Sequence, residues 1–363
     1  MDTKIWQGTI RRVLIIKFGA IGDVVMAIPA AYALHLAGAE VHWVGGAAVA
    51  PLLGCYPWIR TIVVDDRAIL KGSATERVRG LLGLWRTVGW TKYDLCVTLY
   101  YDARYRIVML PIRARRKVIL SQTDRARMLL PGRHHTDEYA RILLGWQDGE
   151  RPVGLTPVRA ERLPVSPLVR TEGKARVVLA PAGAKNMMRD DALRRWPVEN
   201  YVALASFLLK RGVEVILAGG PGDMWAVAAF AGLAVTNMTG KLTLPEMLAL
   251  LEDSDVIVTH DTGPLHMAGI TGVGIVSIFG PTDPRGRLPQ RADTVALWGG
   301  EGFACRPCYD GRDYAPCLHN GCVRQVSVEM VIREVEAVME QRRSERPMPP
   351  RVVTPMSTVV AKL

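Results

Sequence analysis

The chain has 363 residues, 49% of them hydrophobic and 22% charged, with a net charge of +11. It is too apolar for a disordered chain and too long for one ordinary core, and it suits two α/β domains. No apolar run reaches the roughly 20 residues of a spanning helix, and the first residues lack the apolar stretch of a signal peptide, so a cytoplasmic protein is expected.

Residues 12–17 read as a buried parallel strand, short and continuously apolar. The strand runs into the turn Lys17-Phe-Gly-Ala-Ile-Gly-Asp23 and a helix over 23–36, with apolar positions at Val24, Ala27, Ala31 and Leu34. Pro29 should kink that helix or make it start late, and Gly38 should end it. Further strands are expected at 40–44, 61–65, 94–99 and 117–120, with a helix over 77–88. Strands separated by helices make βαβ units and a parallel sheet.

The segment from 148 to 174 carries Pro152, Pro157, Pro164 and Pro167 without apolar periodicity and reads as a linker. The alternation then restarts. Strands are expected at 176–180, 213–218, 256–259 and 274–279, a helix over 197–210, and another over 243–251 with Thr243 and Glu246 spaced as a capping box. A final helix covers 328–342, and the proline-bearing tail from Ser344 is expected to be disordered. The domains are therefore 1–150, a linker over 151–174, a second domain over 175–327, a helix over 328–343 and a tail over 344–363.

The positive charge is concentrated. Between Asp102 and Arg133 stand Arg104, Arg106, Arg113, Arg115, Arg116, Lys117, Arg125, Arg127 and Arg133 against only Asp102 and Asp124. Such a face attracts phosphates, anionic lipid or nucleic acid, or is simply solvated. No nucleic-acid-binding motif accompanies it.

Cys55 and Cys96 stand alone in apolar surroundings and read as core. Cys305, Cys308, Cys317 and Cys322 cluster with C-x2-C at their head. That pattern is either a structural Zn or Fe site, closed by four thiolates, or a loop of reduced thiols.

Three loops at strand ends have phosphate- and sugar-binding character. The Gly19-x-x-Gly22-Asp23 turn is not the dinucleotide fingerprint. Asp23 there is either a helix cap or a catalytic carboxylate. In Thr259-His-Asp-Thr-Gly-Pro264, Asp261 or Thr262 caps the next helix, or the turn binds a diphosphate. His266 either faces that ligand or is a core residue. Gly219-Gly-Pro-Gly-Asp223 is a tight turn or offers Asp223 to ribose hydroxyls. A fourth loop, from Pro181 and Gly183 to Pro197, supplies Lys185, Arg189, Arg194 and Arg195, cations suited to phosphate.

Taken together, these motifs resemble glycosyltransferase family 9, the heptosyltransferases of lipopolysaccharide assembly. The resemblance runs from about Arg11 to Arg342. It rests on Lys17-x4-Gly22-Asp23, on Arg195-Trp-Pro197 behind a basic loop, on Asp261-Thr-Gly-x-x-His266 and on Phe279-Gly-Pro-Thr-Asp-Pro284. It implies the GT-B architecture, two doubly wound Rossmann-like domains facing a central cleft. It also implies inverting transfer of a heptose from an ADP-sugar, without a catalytic metal. Asp23 resembles the family's general base, and Asp261, Thr262 and Gly263 its diphosphate-facing turn. Gly22, Gly183, Lys185, Arg194, Asp223 and His266 join the donor-binding set. Arg194 and Arg195 stand where many members carry Lys. The acceptor implied is an anionic saccharide held by the first domain, with peripheral contact to the inner membrane and no nucleic acid. Some cysteine-bearing members of the family hold a metal at the position of the four-cysteine loop. That loop is expected to be separable from ADP binding, because the nucleotide loops precede it in the chain.

Overall fold

The computed structural model describes residues 10–146, 155–184, 190–310, 313–355 and 361–362. The chain divides into two units, Met1–Arg162 and Leu163–Leu363. The division falls inside the segment expected as a linker.

In the first unit, β1 (Arg12–Ile16), β2 (Glu40–Gly46), β3 (Ile59–Val64), β4 (Lys92–Thr98) and β5 (Arg113–Ile119) form a sheet in the order β3-β2-β1-β4-β5. All four neighbouring pairs are parallel. Val13 to Ile16 of β1 are fully buried, as a strand covered on both faces must be. The strand order reverses beside β1, so the loops that leave β1 and β4 border the switch-point crevice where doubly wound sheets bind ligands.

Differences from the sequence reading have local causes. Strand β5 begins at Arg113, ahead of the expected Lys117, because Arg113, Arg115 and Arg116 lie exposed on an edge strand. Charged edges discourage pairing with other chains and carry no apolar signal. The helix expected from residue 77 begins at Ala74, where Ser73 and Glu76 close a capping box. Asp65, read as the end of β3, instead caps the short helix Asp66–Lys71 by accepting from the Ala68 N–H. The helix Ile21–Leu36 runs on through Pro29, which is buried, instead of starting after it.

In the second unit, β6 (Arg176–Leu179), β7 (Glu214–Leu217), β8 (Thr236–Asn237), β9 (Val256–His260), β10 (Gly274–Phe279), β11 (Thr294–Trp298), β12 (Arg351–Val353) and β13 (Ala361–Lys362) form one sheet. Its order is β13-β12-β11-β10-β9-β6-β7-β8, and only the β12–β13 pair is antiparallel. The tail expected to be disordered is thus built into the sheet. Val352 is buried, and Arg351 reaches Glu334 of the helix Val328–Arg343 at 2.5 Å. Three residues of strand amid prolines leave no periodic signal, and the partner β11 is far away in sequence.

Trp196 of the Arg-Trp-Pro segment is a core residue. Its indole N–H donates to the Val326 carbonyl at 2.8 Å and its ring meets Tyr201 edge-on. Among the described residues no helix is long and apolar enough to cross a membrane.

Candidate active site

In the first unit, Asp23 lies three residues into the helix Ile21–Leu36, whose N-cap is Ala20. It is therefore not the cap. Its carboxylate sits in the first turn, where the helix dipole favours negative charge, with Gly22 just before it. Asp23 Oδ2 accepts from Lys17 Nζ at 2.9 Å. Lys17 is 1% exposed and Asp23 29%, so a buried ammonium holds a carboxylate that solvent can still reach. The same ammonium lies 4.9 Å from the centre of the Tyr100 ring, which comes from the loop after β4. The cation behind the carboxylate fixes its orientation.

In the second unit, the loops after β6, β7, β9 and β10 meet at one end of the sheet. Gly183 has φ +91°, and a Cβ there would lie 3.4 Å from Thr262 Cβ, so the β6 loop passes directly against the β9 turn. Asp223 ties the β6 and β7 loops together. Its Oδ1 accepts from Gly183 N at 2.9 Å and its Oδ2 from Gly220 N at 2.8 Å. The carboxylate considered for ribose is thus already engaged by backbone. Arg195 donates to the Gly183 carbonyl at 2.9 Å and lies over the half-exposed Trp225 ring.

The β9 turn holds the charge. Asp261 is buried, with Arg194 Nη1 at 3.4 Å, Arg287 Nε at 3.9 Å and His266 Nε2 at 4.0 Å from its carboxylate. Burial pushes its pKa up, but Arg194, Arg287 and His266 outweigh that and hold it at about 2. The carboxylate thus lies among the guanidinium groups of Arg194 and Arg287 and the imidazole of His266. Arg194 also donates to the Asp261 carbonyl at 3.3 Å, to Asp191 Oδ2 at 2.8 Å and to the Tyr314 hydroxyl at 2.5 Å. Burial works against its charge, and Asp261, Tyr314 and Asp191 raise its pKa regardless.

Thr262 is the N-cap of the helix Gly263–Gly269, but its hydroxyl turns back to the His260 carbonyl at 3.3 Å. Gly263 is the first helical residue. His266 is 5% exposed, buried beside Asp261. His260 is fully buried against Tyr201, and burial drives its pKa down to about 3, so it is a neutral core residue. Lys185 and Arg189 lie outside the described residues.

Cys305 and Cys317 are exposed and Cys308 and Cys322 half-buried, with Cys322 in the short helix Gly321–Arg324. Burial raises the pKa of Cys308 and pushes Cys322 to about 11, with the neighbouring thiols adding to both. Four sulfurs are a chemically suitable set for Zn or Fe. Among the described residues, however, no three such side chains are arranged to hold an ion.

Sequence reasoning assigned no role to Lys17, although it heads the first motif, and missed Arg287, Asp191 and Tyr314. Arg287 follows the Phe279 to Pro284 motif directly and could have been suspected from that alone. Tyr314 had no signal, because its partner is 120 residues away.

The sequence model of the family described as glycosyltransferase family 9 (heptosyltransferase) matches residues 169–319. A curated relative, the lipopolysaccharide core heptosyltransferase OpsX of Haemophilus influenzae, is 22% identical over 289 residues, covering 76% of this chain and 80% of its own. The solved structure of the ADP-heptose LPS heptosyltransferase II of E. coli superposes with TM-score 0.67 at 18% identity, over 92% of this chain and 99% of that one. The iron-containing dodecameric glycosyltransferase TibC of enterotoxigenic E. coli superposes with TM-score 0.57 at 16% identity, over 93% and 77%. At these identities the two structures speak for the fold, two Rossmann-like units.

Proposed function

Because the chain belongs to glycosyltransferase family 9, we propose that it moves a heptose from an ADP-activated donor, with inversion, to a saccharide acceptor of lipopolysaccharide or a related glycan. The acceptor is assigned to the first unit and the donor to the second. Asp23 takes the proton of the acceptor hydroxyl as that oxygen attacks the anomeric carbon. The bond from that carbon to the diphosphate breaks on the opposite face, and ADP leaves. Lys17 aims the Asp23 carboxylate. Arg194 meets the charge that grows on the diphosphate, helped by the backbone N–H groups of the turn at Asp261, Thr262 and Gly263. Lys185 is a second candidate for that charge.

The observation that carries this reading is the Arg194–Asp261–Arg287 group beside a Gly-bearing strand-to-helix turn. A fixed guanidinium matches a diphosphate, and here a buried carboxylate holds the guanidinium in place. The test is a thermal-shift panel of ADP, UDP, GDP and NAD, since a ligand bound only by the native state raises apparent stability. ADP should give the largest shift. A preference for UDP would overturn the heptose donor, and one for NAD the transfer reaction. A protein or a soluble small molecule as acceptor, or donor binding without turnover, are the readings that activity assays with a lipid-linked anionic saccharide would discriminate.

The exposed arginines of β5 support an anionic acceptor and peripheral contact with an inner membrane surface. The four-cysteine loop is assigned a structural Zn or Fe. The donor chemistry supports it, as does the iron of TibC on the same fold.

A further inference from the structure

We propose that Tyr314, on the hairpin between Cys308 and Cys317, is a positioning residue of the donor site, fixing Arg194 in the orientation that meets the diphosphate. The inference rests on the donor reading above and deepens it.

The hairpin is tied to the sheet at several points. Tyr309 and Tyr314 pair as an antiparallel bridge with ring centres 4.8 Å apart, and the Ala315 N–H donates to the Cys308 carbonyl at 3.1 Å. Its root is seated on the turn after β10, where the N–H groups of Cys308 and Tyr309 both donate to the Pro281 carbonyl at 3.1 Å. At the far end, the short helix Gly321–Arg324 packs against the residue that follows β11, since a Cβ on Gly299 would lie 1.8 Å from the Cys322 carbonyl oxygen. The Phe279 to Pro284 motif thereby gains a physical role as the seat of this hairpin.

From that seat the hairpin reaches the donor loops. The guanidinium of Arg194 lies 5.9 Å from the Tyr309 ring and 5.8 Å from the Tyr314 ring, both within cation–π range. Arg287 lies over Tyr309 as well, at 5.4 Å. The hydroxyl of Tyr314 takes the Nε–H of Arg194, while Nη1 goes to Asp261 and Nη2 to Asp191. Arg194 is thus held on three sides, by the hairpin, by the β9 turn and by its own loop. Without the hydroxyl, the Nε side loses its anchor and the plane of the guanidinium can turn. A bidentate match to phosphate depends on that plane.

One consequence reverses an expectation from the sequence. Damage to the four-cysteine loop should reach the donor site, so Cys308→Ser should raise the donor KM as well as loosen the loop.

The test is calorimetric ADP binding and steady-state kinetics on the full chain, with wild type, Tyr314→Phe, Arg194→Ala and the double variant. Tyr314→Phe keeps the ring and removes one oxygen. It should weaken ADP and raise the donor KM about tenfold, since the guanidinium is no longer preorganised, with the acceptor KM nearly unchanged and, because a bond to a charged group is lost, the melting temperature lowered by a few degrees. In the Arg194→Ala background the same change should have no further effect. The proposal is overturned if Arg194→Ala weakens ADP while Tyr314→Phe binds it like wild type, or if the two losses simply add. Wild type and Arg194→Ala binding ADP alike, or neither binding it, would instead overturn the donor reading beneath it.

Discussion

Replacing Asp23 by asparagine tests catalysis and stability at once, because of what lies behind it. Lys17 is 1% exposed, and its ammonium is 2.9 Å from Asp23 Oδ2. Removing one partner of a fully buried pair destabilises by about 3–5 kcal/mol, but exposed pairs contribute at most about 1. Asp23 is 29% exposed, which places the loss between these, at about 1–3 kcal/mol. In a unit of this size that lowers Tm by about 2–12 °C. Loss of a general base lowers kcat by about 10²–10⁴-fold. Lys17→Met separates the two effects. In the double variant Lys17→Met, Asp23→Asn no buried charge is left alone, so Tm should recover while kcat stays low. In Lys17→Met alone the base remains, so kcat should fall far less than in Asp23→Asn. The assays are calorimetric melting and donor turnover. Wild-type turnover in Asp23→Asn would remove Asp23 from the mechanism. An unchanged Tm in that variant, with no recovery in the double, would refute the pair argument.

Three further outcomes are expected. Replacing Arg113, Arg115 and Arg116 with Ser should raise the acceptor KM and blunt its salt dependence, and an unchanged KM at low salt would make β5 a solvated edge only. The purified protein should carry about one equivalent of Zn or Fe. Since burial holds Cys308 and Cys322 as thiols at neutral pH, loading must release protons and weaken on acidification; four freely titrating thiols with no metal would refute the site. His260 is held neutral down to about pH 3, whereas the unfolded chain binds a proton below about 6.5. Stability should therefore fall as pH drops through that window, and His260→Gln should flatten the fall in an acid-unfolding series. An identical pH dependence in that variant would count against the burial argument.

The sequence by itself determined the elements and their kind. Short apolar runs such as β1 and β10 suit strands covered on both faces, and the Gly-bearing turn after β1 marks where the chain enters a helix. The capping box at Thr243 was legible for the same reason, because its two partners are three residues apart. The candidate site was legible as a list: Asp23, Arg194, Asp261 and the Gly turns all sit at strand ends, where doubly wound sheets place their chemistry. Only the tertiary structure decided what each side chain does there. Asp261 reads as part of a diphosphate-facing turn in sequence, and the structure adds Arg194 and Arg287 beside it, from the loops after β6 and β10. Asp223 is taken up by two backbone N–H groups, one from a loop 40 residues earlier. The tail became a strand because β11 had an open edge, and Tyr314 meets Arg194 because the β10 turn seats its hairpin. Local spacing reports the bonds a residue makes within a turn or two of itself. Charge pairs, edge strands and seated hairpins are contacts between distant segments, and they exist only once the sheet has ordered those segments side by side.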